Sequence, residues 1–211
     1  MGTIRIHRAD IPIDNPTDHS LEFDAGFARR TGTVQRIILH HDATLSARHC
    51  FKILRKRNLS THFCIDNDGT IYQFLDPATT SAWASGKGYN QTAVAIDFSN
   101  ACELKWASRY EPPRPVVEQR IHGHGVKWLG LYEVQQRACE KLCRLLCEAF
   151  GVPPVVPLGQ DGEPLLGDLR PVPAGVIGHL HLTRRKFDPF GLDWMALQDA
   201  LIPDAEEFAR G

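Results

Sequence analysis

The sequence predicts an α/β fold, a mixed central β-sheet flanked by helices. Three observations predict it. Residues 34–40 are a short, nearly continuous apolar run, the pattern of a strand buried on both faces. Residues 61–65 and 70–75 are two β-rich runs around Asp66-Asn67-Asp68-Gly69, a hairpin pattern. Residues 46–57 and 131–150 repeat apolar side chains with a helical period.

Taken in order, residues 1–33 carry two Pro, four Asp and little periodicity, and are expected to form an N-terminal arm. The strand at 34–40 ends abruptly in His40, His41 and Asp42. Ala47, Cys50, Phe51 and Leu54 then fall at i, i+3, i+4 and i+7 with basic residues between them, so this helix is amphipathic. Ser46 is its expected N-cap and Asn58 its expected C-cap. After the hairpin, residues 92–99 alternate, with Val94, Ile96 and Phe98 on one face and Ala93, Ala95 and Asp97 on the other. Residues 100–130 read as a long irregular loop broken by Glu111-Pro-Pro-Arg-Pro115. The longest helix, 131–150, stops at Gly151 before Pro153 and Pro154. Residues 151–174 form a second long loop, 175–179 a short strand and 193–202 a closing helix. The order β, α, β-hairpin, β, α, β, α suits one domain over 1–211.

Composition narrows the function. The 211 residues are 43% hydrophobic and 23% charged, enough for a core that needs no disulfide scaffold. Lys+Arg is 24 and Asp+Glu 25, a net charge of -1, which argues against nucleic-acid and polybasic membrane-surface partners. There is no run of 18 apolar residues, and the first residues lack an apolar signal region. The expectation is a cytoplasmic monomer, with export by a non-classical route as the other possibility. Its six Cys are expected to be free thiols.

Three places could carry chemistry. His40 stands at the C-terminal end of a buried strand, where α/β sheets put their sites; alone it could equally be a locally bonded histidine. His179 and Asp188 are nine residues apart across a loop. Two His and one carboxylate, with a fourth position open to water, make a catalytic zinc shell. Lys186 lies two residues before Asp188, which in an extended segment puts both side chains on one side, as oxyanion stabilisation needs. Asp97 shares its strand face with the small residues Ala93 and Ala95, which leave a hollow where burial raises a carboxyl pKa and suits it to acid and base work; a strand-edge Asp paired with a Lys is the other reading. The pairs His122-Gly-His124 and His179-Leu-His181 have His-x-His spacing, and Cys139, Cys143 and Cys147 form one helical stripe best read as core.

Five segments then occur in register. They are 37–44 (IILHHDAT), 60–73 (STHFCIDNDGTIYQ), 87–90 (KGYN), 93–97 (AVAID), and 178–189 with Gly178, His179, Lys186, Phe187, Asp188 and Pro189. Together they resemble the zinc-dependent N-acetylmuramoyl-L-alanine amidases, a family that includes phage lysozyme-type amidases and peptidoglycan recognition proteins. The resemblance covers 34–99 and 175–195 and implies that family's fold. It implies His40, His179 and Asp188 as ligands of Zn²⁺, Lys186 as the oxyanion-stabilising residue, and Tyr89 and Asn90 as substrate contacts. Many members carry a Tyr where this chain has Thr61; a branch similar to the cytoplasmic muropeptide-recycling enzymes has a Glu on the following strand instead, and Asp97 falls there. Ser85 stands where several relatives have a His. The implied reaction is hydrolysis of the amide between the lactyl group of N-acetylmuramic acid and L-alanine, with peptidoglycan or a muropeptide as partner. A non-catalytic peptidoglycan-binding module and a zinc peptidase acting on the stem peptide are the alternatives.

Overall fold

The computed structural model describes residues 1–166 and 169–202. A six-stranded mixed sheet lies at its centre. Its strands in chain order are β3 (Thr17–Asp18), β5 (Arg36–His41), β6 (Phe63–Ile65), β7 (Ile71–Gln73), β9 (Ala93–Phe98) and β12 (Gly175–Gly178), counting all strands from the N-terminus. Spatially the order is β12-β5-β9-β6-β7-β3. The four strands from β12 to β6 run parallel; β6 and β7 are the antiparallel hairpin, closed by Asp66 N–H donating to Thr70 O. Gly69 takes φ +83 in that turn, a conformation in which a Cβ would be strained.

Alternation divides the sheet's two faces. Ile37, Leu39, Phe63, Ile65, Val94, Ile96, Phe98 and Val176 pack in one core with α2 (Glu133–Phe150) and α3 (Trp194–Leu201). The Cys139, Cys143 and Cys147 stripe is buried there. On the other face lie Ile38, Ala93 and Ile177, and Cys64 packs against α1 (Ala47–Lys56) through Ala47, Cys50 and Phe51. The strand β9 alternates as its sequence predicts, so Asp97 shares the α1 face with Ala93 and Ala95. Fully burying such aliphatic and aromatic side chains contributes about 1.5–3 kcal/mol each.

Helix ends follow local chemistry. Ser46 caps α1 by accepting from His49 N–H. The C-cap is Arg57 rather than Asn58; Asn58 instead takes the left-handed φ of 53 just past it, a position that asparagine tolerates. Gly151 ends α2 with φ 63.

Two stretches are more ordered than their sequences suggest. Within the N-terminal arm, β1 (Gly2–Ile6) and β2 (Ala9–Ile13) form a hairpin, β3 joins the central sheet, and β4 (Phe27–Arg29) pairs with β8 (Thr80–Ala82). Within 100–130, expected to be irregular, β10 (Val116–Ile121) and β11 (His124–Leu129) form a second hairpin. Its two turn residues, His122 and Gly123, both have positive φ, as a tight twisted hairpin turn requires. In the 151–174 loop, residues 167 and 168 lie outside the described set. No helix among the described residues is long and apolar enough to cross a membrane.

Candidate metal centre and its surroundings

Two neighbouring parallel strands create the site. Gly178, the last residue of β12, pairs with Leu39 of β5, so His179, just past the end of β12, comes beside His40, which is still within β5. The chain then turns through residues 179–181 and comes back, and Leu180 N–H donates to Asp188 O at 2.9 Å. That bond brings the Asp188 carboxylate to the two rings.

Three atoms converge. His40 Nδ1 is 3.0 Å from His179 Nδ1, His179 Nδ1 is 3.2 Å from Asp188 Oδ2, and His40 Nδ1 is 3.5 Å from Asp188 Oδ2. Tetrahedral zinc with bonds near 2.0–2.1 Å needs ligand atoms about 3.3 Å apart, so this triangle fits one face of such a shell. All three donors carry lone pairs toward one point, which without a cation is relieved only by shared protons. Burial pushes the Asp188 carboxyl up, but hydrogen bonds from His179 and His40 outweigh it and hold it well below the usual carboxylate range. The side chains of His179 and Asp188 keep 14% and 18% exposure, so the fourth side of the shell is reachable from solvent.

Asp97 lies at the register of His40 on the adjacent strand and on the same face. Burial pushes its carboxyl up to about 6, against the opposing pull of His40, with Asp42 adding a like charge. Lys186 lies at the end of a turn over residues 183–186, closed by its N–H donating to Thr183 O, and residues 186–188 that lead to Asp188 carry no regular secondary structure. The Lys186 side chain is exposed and makes no hydrogen bond or ion pair among the described residues.

Tyr89 and Asn90 have partners outside the triad. Tyr89 OH accepts from Arg170 at 3.2 Å, and Asn90 Oδ1 accepts from Ser85 N–H at 3.0 Å. Ser85 Oγ is in turn 3.1 Å from His40 Nε2. The residue that touches the candidate ligand is therefore Ser85, and Asn90 acts behind it.

The hairpin β10–β11 also escaped the sequence reading. Its tip grips the loop that bears Asp188: His122 Nε2 donates to Lys186 O at 3.0 Å, and Gln119 Oε1 accepts from Gly191 N–H at 2.8 Å. Phe187 packs among His122, His124 and Trp128, and Trp128 lies 4.2 Å from Phe190 between ring centres. The alternating 116–121 run and a His-Gly turn at 122–123 were the available signal.

Other histidines are engaged elsewhere. His181 Nδ1 accepts from Gly178 N–H and its ring stands edge-on to Trp194. His62 Nδ1 accepts from Ala95 N–H and its Nε2 meets Thr80 O. His41 packs edge-on against Phe190. Asp42, Cys50 and Cys64 also gather, but Asp42 already accepts from Thr44 N–H, Thr44 Oγ1, Ser99 Oγ and Asn100 N–H, which occupies its lone pairs. All six Cys are free thiols.

The sequence model of the N-acetylmuramoyl-L-alanine amidases matches residues 30–190, well over half of the chain. No curated protein sequence matches it. Among solved structures it is similar to the N-acetylmuramyl-L-alanine amidase AmiD from E. coli, in complex with the substrate anhydro-N-acetylmuramic acid-L-Ala-D-γ-Glu-L-Lys. That pair has 18% identity and a TM-score of 0.53, covering 82% of this chain and 60% of AmiD. AmpDh3 from Pseudomonas aeruginosa, in complex with anhydromuramic pentapeptide, has 19% identity and a TM-score of 0.54, covering 85% of this chain and 69% of that one. A mutant endolysin from Bacillus subtilis has 14% identity and a TM-score of 0.55, covering 90% and 100%. At these identities the likeness establishes the fold, and the chain spans only 60% of the AmiD chain.

Proposed function

Because the chain belongs to the N-acetylmuramoyl-L-alanine amidase family, we propose that it is a zinc-dependent peptidoglycan amidase. In this reading it hydrolyses the amide between the lactyl group of N-acetylmuramic acid and the L-alanine of the stem peptide. The observation that carries this is the convergence of His40 Nδ1, His179 Nδ1 and Asp188 Oδ2 on one point.

His40, His179 and Asp188 would hold the zinc. When bound, zinc supplies Lewis acidity and makes water a competent nucleophile near neutral pH. The residues around it divide the remaining work. The Asp97 carboxylate takes a proton from the attacking water, and the same oxygen returns it to the departing L-alanine nitrogen. Its pKa near 6 suits both steps, because the group is ionised at neutral pH yet basic enough to hold the proton in between. Lys186, exposed on the loop that bears Asp188, would offer its ammonium to the charge that develops on the lactyl carbonyl oxygen. Ser85, anchored by Asn90, keeps the ring of His40 facing inward. The non-catalytic alternative needs an incomplete ligand set, whereas all three positions here hold competent donors.

Metal analysis tests the assignment. One zinc per chain is expected, lost in His179→Ala and kept in His181→Ala. Zinc retained without His179 but lost without His181 would overturn the ligand choice.

A further inference from the structure

Trp128, on β11, meets the two aromatic side chains that flank Asp188 in sequence. Its ring centre lies 5.8 Å from that of Phe187 and 4.2 Å from that of Phe190. Phe190 also packs edge-on against His41 at 4.3 Å, one residue past His40. The four rings make one continuous stack, and chain neighbours of two candidate ligands, His40 and Asp188, belong to it.

The hairpin that carries Trp128 is braced at its base. Leu129 N–H donates to Cys102 O at 2.7 Å, and Asn100 Nδ2 donates to Leu129 O at 2.7 Å. Arg114, buried between the rings of Tyr110 and Tyr132, donates to Gly130 O at 2.8 Å and to Ser99 O at 2.6 Å. Ser99 and Asn100 directly follow β9, so these bonds tie the hairpin to the strand that carries Asp97.

The loop that bears Asp188 is the opposite case. Residues 184–188 have no helix or strand, Arg184, Arg185 and Lys186 are exposed, and Phe187 and Asp188 are only half-buried. The hairpin holds this loop on both sides of Asp188, through His122 on Lys186 O and Gln119 on Gly191 N–H. At Gly191 the two segments meet so closely that a Cβ there would come within 3.2 Å of Val117.

We propose that Trp128 is a positioning residue for the metal centre. Together with His122 it holds the loop so that the Asp188 carboxylate stands beside His40 and His179 before any metal arrives. The proposal rests on the metal-dependent reading above and deepens it. A carboxylate on an exposed, irregular loop would have to be ordered when the metal binds, at a cost in conformational entropy. A clamp formed on folding removes that cost from the binding step. Trp128 acts through Phe187 and Phe190, and His122 through the backbone of Lys186.

Zinc affinity of the full chain, read by competition with a chromophoric chelator, tests this without relying on turnover. Trp128→Ala should weaken binding about 10–100-fold, the usual cost of losing a group that orients a ligand. Trp128→Phe keeps a ring against Phe187 and Phe190 and should recover most of that loss. The cobalt(II)-substituted protein should show altered visible absorption in Trp128→Ala and wild-type bands in Trp128→Phe. His122 takes φ 52, which asparagine tolerates, so His122→Asn keeps the turn while its side chain is too short to reach Lys186 O. It should weaken binding about fivefold, the value of one hydrogen bond, and it carries the test if Trp128→Ala does not fold. Lys127→Ala breaks the ion pair with Glu118 on the same hairpin and should leave affinity unchanged. Affinity within twofold of the wild type in His122→Asn or in folded Trp128→Ala would overturn the positioning role, as would an equal loss in Lys127→Ala. A wild-type chain that binds no zinc would instead remove the metal-dependent reading, and this role with it.

Discussion

The hydroxyl oxygen of Ser85 lies 3.1 Å from His40 Nε2, on the opposite side of the ring from the triad. With zinc held by Nδ1, Nε2 would carry the ring proton and donate it to Ser85 Oγ. Ser85 is itself held by its N–H donating to Asn90 Oδ1.

Losing such a partner typically costs 10–100-fold in metal affinity. Ser85→Ala should therefore weaken zinc binding by about that factor, read by competition with a chromophoric chelator. Ser85→Thr, which keeps the hydroxyl, should restore most of it. Affinity unchanged in Ser85→Ala would make the contact incidental.

Asp97 and Lys186 should separate chemistry from metal binding. Asp97→Asn keeps the shape and removes the basicity, so turnover should fall about 10²–10⁴-fold with zinc content unchanged. Asp97→Glu should retain activity if the carboxylate acts through water. Lys186→Ala should lower turnover by roughly 10²–10³-fold, again with zinc retained. Full turnover in Asp97→Asn would place the proton carrier elsewhere. His62 is a poor substitute, because both of its ring nitrogens are already engaged.

Much of this arrangement was legible in the sequence because it is written in short local patterns. The alternation of Val94, Ile96 and Phe98 against Ala93, Ala95 and Asp97 gave both faces of β9, and the apolar run ending in His40 gave the edge of the site. What stayed hidden depends on long-range contact. The strand β3 has two residues and exists because it lies alongside β7. The β10–β11 hairpin is mostly exposed, so its alternation lacks the apolar signature of a buried strand. Ser85 carries no local signal at all; its role comes from being folded against His40, 45 residues away.

His62 makes acid sensitivity a test of packing. Burial, with the nearby Arg30 charge, lowers its pKa to about 3, whereas the unfolded chain should titrate near 6.5. Between those values the unfolded state binds the extra proton. The stability that the neutral ring contributes is present above pH 6.5 and is lost as pH falls toward 3. At pH 5 the loss is about 2 kcal/mol. Urea melts at pH 7 and pH 5 should show that His62→Gln is less acid-sensitive than the wild type by about this amount. Identical pH dependence in the two proteins would mean that His62 is protonated in the fold.

The most direct measurement is mass spectrometry of the products released from a purified disaccharide-peptide muropeptide by the zinc-loaded protein. The account predicts two fragments, a sugar ending in a free lactyl carboxylate and an intact stem peptide with a new N-terminal L-alanine, and none after chelation. Fragments cut within the stem peptide, or no cleavage with zinc bound, would contradict it.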